Sequence, residues 1–308
     1  MITALGGGVG AAKFLEGLSV CISDEQLNVI VNTADDITYC GLRISPDIDT
    51  IIYRLSGNID RKKGWGIEGD SFSCLGALGS LGMETWFNVG DRDFATHLFR
   101  TDMRIKGCTA SQITSELSAR YGVPKNIKVM PMTDTDVETW IVTTEGEMHF
   151  QEYLVRRKMS PEVTKVVIRN IEEAEPSPSL LESINESRAV ILCPSNPIIS
   201  IGPILQVRGV KKALVNSNTK IIAISPLIGG VPLKGPADRL MRGVGLEVSS
   251  TQVARLYRDF LDIMVIDFHD AHELDEIKAL GIDSVALDTL MSDPGKAAEL
   301  ARNLLDLI

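Results

Sequence analysis

ITALGGGVGAAKFLEGL, residues 2–18, decides the fold. Ile2–Leu5 is a short apolar run that reads as a buried strand, Gly6–Gly10 as a glycine turn, and Ala11–Leu18 as a helix. Working outward, NVIVN (Asn28–Asn32) is a second strand, and Thr50–Leu55 is a short helical run after the proline turn at Ser45-Pro46. Ser71–Leu81 reads as a helix so rich in small residues that something should pack close to it. Glu84–Val89 reads as a strand and Asp93–Arg104 as a helix. The apolar runs Ala189–Cys193, Ile221–Ile224 and Ile263–Ile266 are each flanked by helical patterns, and Ile282–Val285 precedes a last helix at Pro294–Leu305. Strands alternating with helices of about 10–15 residues predict an α/β protein with a parallel sheet built of βαβ units.

The middle of the chain departs from this rhythm. Asp136–Val142 alternates by twos, Glu145-Gly146 turns, and Glu147–Leu154 returns, which is a hairpin signature. Val163–Ile168 adds a strand before the turn-rich AEPSPS at 174–179. The expected architecture is therefore a Rossmann-like, doubly wound, mostly parallel sheet with an α+β insertion. The nucleotide-binding core takes residues 1–106 plus 189–308 and the insertion takes 107–188.

Composition bounds the partners. The 308 residues are 44% hydrophobic and 23% charged, and 31 Lys+Arg against 41 Asp+Glu leave a formal charge of −10. Such a field repels polyanions, so nucleic acid is a poor partner. Five scattered cysteines (21, 40, 74, 108, 193) without a CxxC pair make neither a disulfide framework nor a zinc site and point to a reducing compartment. No window approaches the roughly 18 apolar residues of a membrane span. MITALGGG shows no basic region or cleavage signal. The expectation is a soluble, cytoplasmic protein with neither membrane nor nucleic acid among its partners.

The glycine turn allows three ligand readings. A Walker A loop needs GK[ST], and Lys13 is followed by Phe14, so that reading fails. The dinucleotide fingerprint is met in form by Gly6, Gly8 and Ala11, with Asp35-Asp36 a few residues late for the ribose. A nucleoside-diphosphate site unrelated to nicotinamide chemistry is the third, and a plain tight turn needs no ligand at all. Two further segments discriminate. Asn32, Asp35, Asp36, Asp47 and Asp49 fall within 18 positions directly after a strand end. Clustered carboxylates repel unless a cation or proton sits among them, and Mg²⁺ takes one or two carboxylates plus phosphate oxygens. Asp47 or Asp49 could instead cap the following helix. Cys193-Pro194-Ser195-Asn196-Pro197 follows another strand and reaches the same sheet edge, as an uncharged anion or nucleobase pocket or as an ordinary turn. His269 and His272 in FHDAH could pair on a metal, but no third ligand is indicated and Asp270 reads better as an N-cap.

Taken together, GGGVGAAKF, VNTADD, GLRISPDIDTIIYRL, GDRDFATHLFRT (90–101), CPSNPIISIGPIL and PLKGPADRLM resemble the 2-phospho-L-lactate transferase family of coenzyme F(420) biosynthesis, in order over residues 6–241. The resemblance implies a Mg²⁺-dependent enzyme, homodimeric like its relatives. It would move 2-phospho-L-lactate, or enolpyruvyl phosphate, from lactyl-2-diphospho-5′-guanosine to the deazaflavin FO, releasing GMP and giving F(420)-0. The family's deazaflavin-contacting positions fall on Asp49 and Asn88, the latter standing where many relatives carry Arg. On this reading the N–H groups of Gly7, Gly8, Val9 and Gly10 hold phosphate, and Mg²⁺ sits among Asp35, Asp36 and the diphosphate. Asp35 and Asp49 are the catalytic candidates, Asp49 orienting the ribityl hydroxyl or taking its proton, with Asn32 beside the deazaflavin. Ser195 and Asn196 form the nucleotide pocket and Lys234 contacts phosphate. Trp65, Trp86 and Phe94 are candidates for the apolar ring slot, Trp65 from a lid-like loop. A nucleotide-sugar-binding regulatory protein sharing the GGGxG core is the alternative, and an NAD-dependent oxidoreductase is a third reading that lacks a catalytic His, Tyr or Lys in motif context.

Overall fold

Strand β1 (Ile2–Gly6) is buried at every position in the computed structural model, which describes residues 1–308. A parallel strand covered on both faces has no side chain in water, which is why it reads as a continuous apolar run. The chain enters helix α1 (Gly8–Cys21) inside the glycine turn rather than after it. Strand β2 (Leu27–Val31) returns parallel to β1, with Ile2 opposite Leu27. A small antiparallel hairpin, β3 (Ile37–Tyr39) and β4 (Leu42–Ile44), leads into α2 (Pro46–Leu55), whose φ-restricted proline starts the helix. Then come α3 (Ser73–Ser80), α4 (Asp91–Ile105), α5 (Ala110–Tyr121) and β5 (Ile127–Pro131), which pairs parallel with β2.

The chain next leaves the sheet. Strands β6 (Glu138–Thr143), β7 (Gly146–His149) and β8 (Val163–Arg169) form a separate antiparallel sheet of order β7-β6-β8. It returns with β9 (Ala189–Leu192), β10 (Lys220–Ile224), a minimal hairpin of β11 (Leu227–Ile228) and β12 (Val231–Pro232), β13 (Ile263–Asp267), β14 (Asp283–Leu287) and a last helix, Pro294–Leu305. The seven-stranded sheet runs β14-β13-β10-β9-β1-β2-β5 with every pairing parallel. Alternate residues of each strand feed two cores, of 34 and 29 buried residues, one on each face. Winding runs outward from β1 in one direction and from β9 in the other. The crevice above the β1–β9 boundary is thus the topological switch point, where open α/β sheets bind ligands.

Several expectations are corrected. Glu84–Val89 is coil: Trp86 packs edge-on and Phe87 tilted against Tyr39 of the β3–β4 hairpin instead of joining a ladder. The hairpin return ends at His149, after which Glu152–Arg156 coils into a π-helical turn. The small residues of α3 face outward, only Leu75 being buried, and nothing lies within 4 Å of where a Gly76 Cβ would sit. The stretch 107–188 is not wholly an insertion either. β5 belongs to the main sheet and helix Leu180–Glu186 packs on helix Val210–Asn216, so the separate part is the three-stranded unit from β6 to β8.

At the switch point the turn after β1 touches the backbone after β9. A Cβ on Gly10 would overlap the Pro194 carbonyl oxygen. Gly10→Ala is expected to cost about 1–3 kcal/mol by overpacking, read as a lower thermal unfolding midpoint; an unchanged midpoint would contradict this packing.

Candidate active site

The glycine turn is braced from both sides. The Ser195 hydroxyl, 5% exposed, accepts from Gly7 N at 3.2 Å and donates to Gly7 O at 3.0 Å. On the other side Asp47 presses so close that a Cβ on Gly7 would overlap its carboxylate, and Gly8 turns with φ +74°. The turn is therefore glycine for contact reasons as well as conformational ones. Asn196, its neighbour in the sequence expectation, spends its side-chain oxygen on Ile198 N (2.9 Å) and Ile199 N (3.3 Å), capping the turn after β9. The structure thus brings Gly7–Gly10 and Ser195 together, with Ser195 as a brace.

The acidic segment folds beneath that turn. Asn32, fully buried at the end of β2, donates to Asp47 Oδ2 (3.0 Å) and accepts from Ala34 N (3.1 Å). Asp35 is 4% exposed and its Oδ1 has no hydrogen-bond partner. Burial pushes its carboxyl well above the ordinary value, and the nearby Asp47 carboxylate pushes it further; Thr139 and Asn32 hold it back only in part. Burial likewise raises Asp47 to about 6 against its hydrogen bonds to Asn32 and the Gly8 N–H. Asp36 is also raised to about 6 by burial, but it is engaged by Arg43 (3.5 Å) and the Ser45 hydroxyl (2.7 Å). Thus Asp35 and Asp47, rather than Asp35 and Asp36, form the pair left without a cation. Asp47 was read as a possible cap; helix α2 has no side-chain cap, and Asp47 turns to the glycine loop. The three-stranded unit closes the far side: Thr139 N donates to Ala34 O (2.6 Å) and Gln151 Nε2 to Asp35 O (3.2 Å).

Asp49, one helical position pair further on, faces a different partner. Arg100 of α4, 4% exposed, donates from Nη2 to Asp49 Oδ1 and from Nη1 to His97 Nδ1 at 3.1 Å. Arginine can only donate, so His97 Nδ1 accepts and its proton sits on Nε2. Burial first, and Arg100 second, push the His97 pKa well below the ordinary histidine range, so the ring is neutral. Asp49 Oδ2 remains buried without a hydrogen-bond partner. Burial raises the Asp49 pKa while Arg100 opposes it. Arg100 and His97 were not foreseen as site residues; their spacing of three on one helical face was the available signal.

The other candidates scatter around this centre. Asn88 is exposed in the coil beside the Tyr39–Trp86–Phe87 cluster, against which Phe94 also packs. Trp65 is 36% exposed in the loop between α2 and α3, with Lys63 Nζ 5.5 Å from its ring centre. Lys234 is exposed, and its Nζ and Val9 both border Gly64 of that loop, so the loop tip, the glycine turn and Lys234 meet. Lys13, held by Met291 O at 2.8 Å, has its pKa lowered by burial and by the neighbouring Arg54 and Lys234, adding a second ammonium there that sequence reading passed over. His269 and His272 are exposed; His269 Nδ1 pairs with Asp267 at 2.5 Å, and Asp267, not Asp270, caps the helical turn through His269 N, while Asp270 accepts from Gly229 N. No three His, Cys, Asp or Glu side chains converge on one point. A hollow of about 430 Å³ around Lys220, Arg258 and Asp262 lies at the opposite, N-terminal edge of the sheet, away from this chemistry.

A divalent cation fits the Asp35–Asp47 pair. One orphaned buried oxygen and two mutually repelling carboxylates ask for positive charge, and two carboxylates plus ligand oxygens are the usual Mg²⁺ complement. The same pair sets a pH dependence. An aspartate whose folded pKa is raised binds its proton more tightly in the fold, so stability is complete below the unfolded pKa and is lost as pH climbs through the folded one. The metal-free protein is expected to lose thermal stability between about pH 4 and about pH 6, and Mg²⁺ to restore it above that window. Asp47→Asn should flatten the loss in a melting series across pH; an unaltered profile would contradict the pairing.

Comparison with known proteins places the chain in a family. A family model described as "2-phospho-L-lactate transferase CofD" matches residues 2–302. A 2-phospho-L-lactate transferase of Methanosarcina mazei is 42% identical over 295 residues, covering 96% of each chain. A phosphoenolpyruvate transferase of Streptomyces griseus is 39% identical over 312 residues, covering 99% of this chain and 98% of the relative. A crystal structure of a UPF0052 family protein from Bacillus halodurans superposes with a TM-score of 0.63 over 99% of this chain and 98% of its own, at 16% identity, and so shares the fold. The family match over residues 2–302 and relatives about 40% identical over nearly the whole chain show that it belongs to the 2-phospho-L-lactate transferase CofD family.

Proposed function

We propose that the protein transfers the 2-phospho-L-lactate moiety, or enolpyruvyl phosphate, from lactyl-2-diphospho-5′-guanosine to the primary hydroxyl of the deazaflavin FO, giving F(420)-0 and GMP. The observation that carries this reading is the buried Asp35–Asp47 pair, whose Asp47 lies against the glycine turn. Backbone donors beside a cation-demanding pair of carboxylates suit a diphosphate carrying a divalent cation. The two names among the relatives, for a phospholactate and a phosphoenolpyruvate, differ only in the three-carbon group, so the shared chemistry is on the phosphate side.

In the reaction a P–O bond forms between the FO hydroxyl oxygen and the phosphorus bearing the three-carbon acid, and the P–O bond to GMP breaks. Mg²⁺, held by Asp35 and Asp47, would supply neutralising charge on the diphosphate. The first-turn N–H groups of Val9 and Gly10, which the Asp47 and Ser195 braces leave free, bind and orient phosphate oxygens at the start of α1. Lys13 and Lys234 offset charge on the leaving side. Asp49 Oδ2, the unpartnered oxygen, accepts the hydroxyl proton or orients the hydroxyl, while Arg100 fixes its position. Tyr39, Trp86, Phe87 and Phe94 offer the apolar surface for the deazaflavin, beside Asn88. We further propose that the active species is a homodimer.

Incubation with FO, donor and Mg²⁺ should release GMP and a phosphorylated deazaflavin in equal amounts. Asp35→Asn and Asp47→Asn are expected to lower kcat by about 10²-fold or more with little change in FO binding. Asp49→Asn at saturating FO should lose about 10²–10⁴-fold if it handles the proton; full turnover would remove that role. GDP with Mg²⁺ should raise the unfolding midpoint by mass action and a uridine diphosphate sugar should not; the reverse pattern would favour the regulatory alternative.

A further inference from the structure

One buried cation beside the site is only loosely engaged. Arg43, on β4, is 8% exposed. Its guanidinium makes only two long ion-pair contacts, 3.5 Å to Asp36 Oδ2 and 3.4 Å to Asp136 Oδ1, and its buried Nε has no hydrogen-bond partner. A guanidinium presents five N–H donors in a rigid fork, and buried polar groups are ordinarily saturated. Beside it a hollow of about 290 Å³ opens between the β3–β4 hairpin and α4, lined by Thr38, Gly41, Arg43, Thr101, Arg104 and Asp136. Arg104 reaches into the same place, its Nη2 2.6 Å from Asp136 Oδ2. The walls are fixed: Arg43 N donates to Thr101 Oγ1 at 2.9 Å, and that hydroxyl donates to His97 O at 2.7 Å. Asp136 is different, since its side chain is 53% exposed and comes from the segment leading into β6. One exposed carboxylate therefore bridges two arginines, one of them anchored in the wall, which is the geometry in which a fork of arginines holds a ligand carboxylate.

We propose that this hollow is a carboxylate-binding site in which Asp136 occupies the Arg43–Arg104 clamp until a ligand carboxylate displaces it. The ligand is a small organic acid. It has two sources: the carboxylate of the three-carbon group being transferred, which rests on the function proposed above, or a free acid acting as effector. The wall is continuous with the candidate active site, because Arg43 contacts Asp36, the neighbour of Asp35, and Arg100 Nη1 lies 3.5 Å from Arg43 O while holding Asp49.

The test uses the full chain and compares calorimetric binding of 2-phospho-L-lactate with that of inorganic phosphate, in wild type, Arg104→Ala and Asp136→Asn. Both positions are partly solvent-exposed, and circular dichroism checks that the variants fold. Arg104→Ala should weaken 2-phospho-L-lactate by about tenfold or more and leave inorganic phosphate unchanged, and Asp136→Asn should tighten 2-phospho-L-lactate severalfold. Equal loss of both ligands in Arg104→Ala, or no tightening in Asp136→Asn, overturns the proposal. If the site stands, a raised KM for the guanosine donor with kcat kept in Arg104→Ala assigns the carboxylate to the transferred group. An unchanged donor KM, with turnover that responds to added acid only when Arg104 is present, assigns it to an effector. Absence of GMP release by wild type would remove the proposed reaction and leave the binding result intact.

Discussion

Asp35 and Asp47 are held together out of water, and their mutual repulsion constrains nearly everything placed around them. Two ionised carboxylates at 4% and 8% exposure are costly unless compensated. The fold supplies part of the compensation locally: Asn32 donates to Asp47, the Gly8 N–H faces the same carboxylate, and Thr139 of the three-stranded unit faces Asp35. What remains uncompensated is the demand for a cation. The position of Asp47 also fixes the residue type above it, since only a glycine fits at Gly7, and the Ser195 hydroxyl locks that turn from the β9 side. In this way the ends of β1, β2 and β9 are tied at the place where the sheet changes winding direction.

A second layer of charge surrounds the first and carries cations. Asp36 is matched by Arg43 and Ser45, and Asp49 by Arg100, so the two carboxylates flanking the uncompensated pair in sequence each have a cationic partner. Charge compensation therefore differs along the segment: Asp36 and Asp49 each face an arginine, while Asp35 and Asp47 face none. It also bears on the net charge of −10: four of the carboxylates are concentrated at 35–49, where on the proposed function a divalent cation beside the arginines would let them face a diphosphate. The three-stranded unit, with its own small core around Ile141, Phe150 and Tyr153, buttresses the Asp35-Asp36 turn through Thr139 and Gln151.

The fold was legible because buried parallel strands must be apolar runs, and β1, β2, β9, β10 and β13 were all visible within a residue or two. β5 was hidden because IKVMP carries Lys128 and ends in proline, which an edge strand tolerates. Glu84–Val89 misled because its aromatic residues satisfy burial by packing on Tyr39 instead of pairing backbone. The site was half legible. The glycine turn, Asn32 and the aspartates stand next to strand ends, where position alone marks them. Asp47 was ambiguous because a first-turn aspartate is also the usual helix cap. Arg100, 51 residues from Asp49, and Arg43, 93 residues from Asp136, act through tertiary pairings that no local pattern announces.

The central claim is that Asp35 and Asp47 together hold one divalent cation under the glycine turn. Electron paramagnetic resonance of Mn²⁺ titrated into the protein with GDP measures this directly. Wild type should bind one Mn²⁺ per chain, with Asp47→Asn and Asp35→Asn each losing it while Asp36→Asn retains it. Retention of the bound ion in Asp47→Asn, or its loss only in Asp36→Asn, would contradict the account.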